Sequence, residues 1–313
     1  MPGKVSVIGA GRVGEIIALG LIQNQAAAEV LLVDIVEGMA EGKALDLKQA
    51  SAIFRSDVKI KGTTDYAKIR GSDIVIITAG LPRKPGMERI DLLGNNIKVT
   101  REIVDQVLTH ASDAILIMLT NPVDILTYAL WKISGFPSNR VFGVGGMLDA
   151  SRFRNYIAIE ANISAKDVQA IVLGGHGDVC VPLVSHAKVG GLPVDHFLTK
   201  EKLASIVDRT RKGGGEIVSL LKSGSSYFAP GNAAAELVKS ILNDERRVLP
   251  VVTYLGGKYG IKDLYAGAPA IIGRHGIEKV LELELTPDEL EEYQGSLTEV
   301  QKQLDKVRAE GLL

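Results

Sequence analysis

Gly9-Ala10-Gly11-Arg12-Val13-Gly14 follows directly on a short apolar run at residues 5–8 and leads into a stretch of helical periodicity that reaches about residue 23. Three glycines at this spacing have separate uses. Gly9 permits a tight turn, Gly11 lets the backbone approach a pyrophosphate, and Gly14 allows a helix to pack closely on a strand. The first helical turn, which Arg12 and Val13 share, then offers unpaired N–H groups and the positive end of its dipole to phosphate oxygens. Asp34 stands 20 residues beyond Gly14, at the end of the next apolar run. A carboxylate there accepts hydrogen bonds from a ribose 2′-OH and repels a 2′-phosphate, which favours NAD over NADP. A plain glycine turn followed by a solvated acid is the bland reading of the same residues. The placement between strand and helix is what favours the dinucleotide.

Four later segments carry polar residues in unusual company. Ala79-Gly80-Leu81-Pro82-Arg83-Lys84-Pro85-Gly86-Met87-Glu88-Arg89 sets three cations among prolines and glycines. Leu119-Thr120-Asn121-Pro122 ends an apolar run, Asp149-Ala150-Ser151-Arg152 opens a helical stretch, and Gly174-Gly175-His176-Gly177-Asp178 flanks a histidine with glycines. Taken singly, each has an ordinary alternative. His176 can be a satisfied buried histidine, Asp149 an N-cap, Arg152 half of a surface ion pair, and 83–89 a solvated basic loop.

The elements that must position these residues follow from periodicity. Apolar runs at 5–8, 30–33, 74–78, 115–119 and 141–144 have strand length, and helical patterns at 37–49 and 92–108 lie between them. Such alternation indicates βαβ units and a parallel sheet with helices on both faces. Ligands of such sheets bind beyond the carboxyl ends of the strands, where the segments starting at Ala79 and Leu119 must lie. After about residue 145 the rhythm changes to a helix at 150–161, a strand at 168–173, helices near 199–221 and 232–243, strands at 248–254 and 268–272, and a charged helix at 288–310. The expected fold is therefore α/β: a Rossmann doubly wound parallel sheet at 1–145, with an α+β catalytic and substrate domain at 146–313.

Composition narrows the setting. The chain has 313 residues, 46% hydrophobic and 23% charged, with a net charge of -1, so bulk electrostatics point to neither nucleic acid nor a membrane surface. Any anionic ligand must be met by a few placed cations. A single cysteine, Cys180, excludes an intrachain disulfide and fits a reducing compartment. It reads as a small buried residue. No signal-peptide pattern or long apolar run is visible, so a cytoplasmic protein is expected.

Taken in order, the glycine fingerprint, the Arg-rich loop, Thr-Asn-Pro, Leu-Asp-x-x-Arg and Gly-x-His-Gly-Asp closely resemble the lactate/malate dehydrogenase family over essentially the whole chain. The nearest likeness is to its lactate-dehydrogenase-like malate dehydrogenase branch. That resemblance implies an NAD-dependent 2-hydroxy acid dehydrogenase with no metal. It makes His176 the general acid/base and Asp149 the partner that fixes its tautomer and favours the imidazolium. Arg152 would grip the 1-carboxylate, and Arg89 would polarise the carbonyl. Asn121 would orient substrate beside the nicotinamide, Asn96 would serve the cofactor, and Ser226 would line the pocket. The cofactor set implied is Gly9, Gly11, Arg12, Val13, Gly14, Asp34, Ala79, Gly80, Asn96, Leu119 and Asn121.

Arg83 sits where lactate dehydrogenases carry a neutral glutamine. A dicarboxylate buried there needs a cation, and a methyl group would leave Arg83 unpaired, so malate/oxaloacetate is the expected pair. The family further implies a homo-oligomer, a tetramer before a dimer, acting in the tricarboxylic acid cycle. Competing readings are an L-lactate or other 2-hydroxy acid dehydrogenase, an NAD-dependent glycoside hydrolase with a divalent metal, and a non-catalytic protein retaining the fold.

Overall fold

The computed structural model describes residues 3–81 and 89–313. Its first half runs β1 (Lys4–Ile8), α1 (Arg12–Gln23), β2 (Glu29–Val33), α2 (Met39–Phe54), β3 (Lys59–Thr63), β4 (Ile74–Ile77), α3 (Arg89–His110), β5 (Ile115–Met118), α4 (Val123–Ser134) and β6 (Val141–Gly143). The second half continues with α5 (Gly146–Ala161), β7 (Val168–Gln169), β8 (Val172–Gly174), β9 (Cys180–Pro182), β10 (Lys188–Val189), β11 (Leu192–Pro193), α6 (Lys200–Leu221), α7 (Phe228–Leu242), β12 (Arg247–Tyr254), β13 (Tyr265–Gly273), β14 (Gly276–Val280) and α8 (Pro287–Ala309).

Strands β4 (IVII) and β5 (ILIM) are buried along their whole length because helices cover both faces of the sheet. Alternation decides which face each residue fills: Val75 and Ile77 join one core cluster, Ile74 and Ile76 the other. Six strands pair in parallel in the order β3-β2-β1-β4-β5-β6. The chain leaves β1 toward β2 on one side and returns to β4 on the other. That reversal opens a crevice beyond the carboxyl ends of β1 and β4.

The second half is joined to this sheet rather than set apart from it. β12 pairs antiparallel with β6 through Val252 and Gly143, and β13, β8 and β9 carry the same sheet onward. α7 lies against α1, where glycines permit the approach. A Cβ on Gly20 would come 2.8 Å from that of Ala235, and one on Gly231 would come 2.5 Å from Ile16.

Some elements differ from the sequence expectation. β3 (KIKGT) was not anticipated, because an edge strand with two lysines shows no apolar run. The run at 168–173 divides, with Val168–Gln169 in a small sheet with β10 and β11 and Val172–Gly174 in the main one. α7 begins at Phe228, four residues before the expected 232.

Candidate active site

The glycine turn joins β1 to α1. Gly9 has φ +104, which favours glycine, and a Cβ there would lie 2.7 Å from Ala79 N. A Cβ on Gly14 would come 2.0 Å from Gly9 O, so the helix could not sit where it does. On Gly11 the same Cβ would meet no atom within 4 Å, so open space lies beside this backbone. Gly11 caps α1 without any side-chain hydrogen bond, which leaves the first-turn N–H groups to be satisfied from outside. This cradle fits a pyrophosphate. Asp34 Oδ2 accepts from Ala10 N at 2.7 Å and Oδ1 from Val36 N at 3.0 Å, so its carboxylate is held at the tip of β2 beside the turn.

The neighbouring loops are tied to one another. Thr120 Oγ1 donates to Ala79 O at 2.7 Å, and a Cβ on Gly80 would come 2.3 Å from Thr120 Cγ2. Asn96, 2% exposed on α3, accepts from Leu81 N at 2.8 Å and donates to Asn121 O at 3.4 Å. It thus bridges the loops after β4 and β5. Leu119 is half-buried and Asn121 exposed at the end of β5.

Three side chains converge at α5 and the loop between β8 and β9. Asp149, 1% exposed, lies one turn inside α5, whose N-cap is Gly145, so Asp149 is not the cap. Its Oδ2 lies 2.8 Å from His176 Nδ1, and its Oδ1 accepts from Arg152 Nη1 at 3.0 Å. His176 sits between β8 and β9 in a loop where Gly174 and Gly177 have φ +82 and +87. A Cβ on Gly145 would press on His176 Cβ at 3.2 Å.

Burial works against a charged imidazole. The charge and hydrogen bond of Asp149, joined by the charge of Asp124, outweigh it, while Arg152 opposes them. The His176 pKa therefore ends above its ordinary value. Arg152 keeps 10% of its side chain exposed, and its Nε is buried without a partner among the described residues. The fork therefore has donors to spare for an anion.

A family model for the lactate/malate dehydrogenase NAD binding domain matches residues 3–143, and one for the lactate/malate dehydrogenase alpha/beta C-terminal domain matches 146–311. The chain belongs to the lactate/malate dehydrogenase family. It is 46% identical over 305 residues to the malate dehydrogenase of Thioalkalivibrio sulfidiphilus, covering 97% of this chain and 99% of the relative. The apo malate dehydrogenase of Picrophilus torridus superposes with a TM-score of 0.95 at 41% identity, covering 99% of this chain and 100% of that one. The Cryptosporidium parvum lactate dehydrogenase, solved with lactic acid and nicotinamide adenine dinucleotide, gives 0.94 at 40% identity, covering 98% of each chain. Membership makes the N-terminal half an NAD-binding domain, and the glycine cradle fits that cofactor.

Within this dehydrogenase the remaining expected residues are placed as follows. Arg83 lies outside the described residues, and Arg89 opens α3. Ser226 precedes α7 and makes no hydrogen bond among the described residues, while its neighbour Tyr227 packs its ring 5.3 Å from the Arg12 guanidinium. Burial pushes the Cys180 thiol far above its usual range, so it stays protonated. Among the described residues, no three His, Cys, Asp or Glu side chains are placed to hold a metal ion.

Sequence reasoning missed two residues that hold the histidine loop. Asp124 Oδ2 accepts from His176 N at 2.9 Å, and Ser296 Oγ accepts from Gly175 N at 2.9 Å. Asp124 stands three residues after Asn121, so an acid beside the Thr-Asn-Pro segment was the available signal. Ser296 gave none, because it is distant in sequence and lies in a charged helix.

Proposed function

We propose that this chain interconverts malate and oxaloacetate with NAD, and that the observation carrying its chemistry is the His176–Asp149–Arg152 cluster. Asp149 engages Nδ1 and leaves Nε2 of His176 as the ring atom that exchanges a proton with the substrate oxygen. In reduction the imidazolium donates from Nε2 to the carbonyl oxygen; in oxidation the neutral ring takes the hydroxyl proton back. Asp149 stabilises the charged ring in both directions without changing its own protonation.

Arg152 turns its remaining donors to the 1-carboxylate. Its hydrogen bond to Asp149 orients the fork. Arg89 polarises the carbonyl as negative charge develops, and Asn121 and Ser226 complete the substrate wall. Gly9, Gly11, Arg12, Val13, Gly14, Asp34, Ala79, Gly80, Asn96, Leu119 and Asn121 would hold NAD, which would supply the hydride acceptor in oxidation and, in its reduced form, the hydride donor.

The His176 cluster serves lactate and malate alike, so substrate choice rests elsewhere. Relatives about half identical over most of the chain are named malate dehydrogenase, and Arg83 supplies the cation that a second carboxylate requires. Breaking a buried ion pair costs about 3–5 kcal/mol, or roughly 10² to 10³-fold or more in binding or rate. NADH oxidation with oxaloacetate, pyruvate and 2-ketoisocaproate at matched concentrations should favour oxaloacetate strongly. Arg83→Gln should lower oxaloacetate turnover by about that factor and raise the pyruvate-to-oxaloacetate ratio. An unchanged ratio would sink the assignment.

The division into residues 1–145 and 146–313, action in the cytoplasm within the tricarboxylic acid cycle, and a homotetramer complete the reading. Exposed apolar residues support oligomerisation: Leu45 and Ile53 on α2 are 59% and 81% exposed, and Leu220 on α6 is 75% exposed. Light scattering on the purified protein tests the tetramer.

A further inference from the structure

The catalytic loop is held at two consecutive amides by side chains from two helices far apart in the sequence. Gly175 N donates to Ser296 Oγ of α8, and His176 N donates to Asp124 Oδ2 of α4, each at 2.9 Å. Space around the loop is tight, since a Cβ on Gly175 would lie 2.6 Å from Val300 Cγ2 and 3.7 Å from Asp124 Oδ2. Asp124 is 7% exposed, and its second oxygen, Oδ1, has no hydrogen-bond partner among the described residues. A buried carboxylate satisfied at only one oxygen is an expensive way to hold one backbone amide, because an uncharged acceptor would do as well.

We propose that Asp124 is a positioning residue of the dehydrogenase reaction, fixing the main chain of His176 so that the imidazole meets Asp149 and lending its negative charge to the protonated ring. Ser296 shares the first task and not the second. The inference rests on the proposed function for its reaction, though not for its geometry. Among the described residues, the charged and titratable groups that act on the pair are Asp149 and Arg152 on α5, His176 itself and Tyr293 on α8. Arg152 opposes the imidazolium, Asp149 and Asp124 favour it, and the buried Tyr293 remains a neutral phenol. Removing the Asp124 charge therefore lowers the His176 pKa.

That shift has opposite consequences in the two directions. Reduction needs the imidazolium and is lost as pH rises through the His176 pKa, so its alkaline limb moves to lower pH. Oxidation needs the neutral ring, so its acid limb moves to lower pH as well and activity on that side increases. A merely structural defect would depress both directions at every pH.

The test uses the full chain with Asp124→Asn, Asp124→Ala and Ser296→Ala, each assayed in both directions across pH, with NADH affinity measured by fluorescence. Asp124→Asn keeps the acceptor; it should move both limbs to lower pH, with kcat for reduction falling several-fold at the alkaline end only. Asp124→Ala also frees the loop, and a misplacement of about 1 Å corresponds to a loss near 10²-fold in kcat with NADH affinity unchanged. Ser296→Ala should lower kcat with the limbs unmoved.

Unmoved limbs in Asp124→Asn would overturn the electrostatic half of the proposal. A folded Asp124→Ala with kcat within about twofold of wild type would overturn the positioning half, and so would an equal loss of NADH affinity. Should Asp124→Ala not fold, Asp124→Asn and Ser296→Ala decide both halves in the same way. Wild-type turnover of oxaloacetate against pyruvate separately tests the substrate reading. If pyruvate is preferred, the same variants assayed on it still judge Asp124.

Discussion

Replacing Asp149 by Asn changes one heavy atom and removes the charge that joins His176 to Arg152. In the native site its two oxygens are divided, with Oδ2 against His176 Nδ1 at 2.8 Å and Oδ1 against Arg152 Nη1 at 3.0 Å, and the residue is 1% exposed. An asparagine can offer its oxygen to one partner only, and its NH2 then faces the other. If it faces Arg152, two donors oppose each other; if it faces His176, the ring must present Nδ1 as an acceptor, placing its proton on Nε2 in the neutral form. Both outcomes disfavour the imidazolium. Breaking a buried charged pair costs about 3–5 kcal/mol, and each ~1.4 kcal/mol is tenfold in rate, so kcat for oxaloacetate reduction should fall about 10² to 10⁴-fold. Steady-state NADH oxidation across pH measures this, with NADH affinity as the control, because the hydrogen bonds of Asp149 go to Arg152 and His176 and not to the glycine turn. Retention of kcat within tenfold, with the alkaline limb unmoved, would refute the assignment of Asp149 as the group that supports the charged ring.

Other consequences follow from the same geometry. Gly14→Ala sets a Cβ 2.0 Å from Gly9 O, so NADH binding should weaken by at least tenfold while a circular-dichroism melt still shows a folded chain; unchanged affinity would contradict the close-packing role. Asp34→Ser removes the carboxylate that excludes a 2′-phosphate, and the kcat/KM ratio of NADH to NADPH should fall by more than tenfold. Burial raises the Asp124 carboxyl from 3.8 to about 6 against the lowering pull of the His176 amide. Its proton is therefore bound in the folded state and released in the unfolded one between those values, and stability declines as pH rises through about 6. Asp124→Asn should flatten that decline and be more stable than wild type at alkaline pH by up to about 3 kcal/mol; denaturant melts at both ends of the range would show it.

The Rossmann half was legible because fully buried parallel strands leave uninterrupted apolar runs, as in β4 and β5. The edge strand β3 escaped because only its inward residues, such as Ile60, need be apolar. In the second half local sequence carried less. Val168 and Val172 read as one strand, yet backbone pairing assigns them to different sheets, a choice made by tertiary partners rather than by periodicity. The site divided the same way. His176, Asp149 and Arg152 stood out because glycines, an i,i+3 acid–arginine pair and chain order mark them. Asp124 and Ser296 did not, because they act through backbone amides, and a backbone donor leaves no mark on the residue type at the other end of the hydrogen bond.

That asymmetry says something about how the fold makes a catalyst. His176, the proposed proton-transfer group, belongs to the second half, but the main chain of its loop is held by an acid on a helix of the first half and by a serine on the last helix. Its side chain is aimed by an aspartate on α5, which starts at the end of the last parallel strand. β12 hydrogen-bonds to β6 directly, so the crevice at β1 and β4 and the histidine loop between β8 and β9 belong to one continuous sheet. A dinucleotide cradle and a proton-transfer group that must serve the carbon and the oxygen of one substrate carbonyl tolerate little relative displacement. Holding them on one hydrogen-bonded sheet, with the histidine fixed from three helices, removes the hinge at which such a displacement would arise. On the proposed reading, substrate choice is left to the segment that follows β4 in sequence and carries Arg83, separate from the elements that align the His176 cluster.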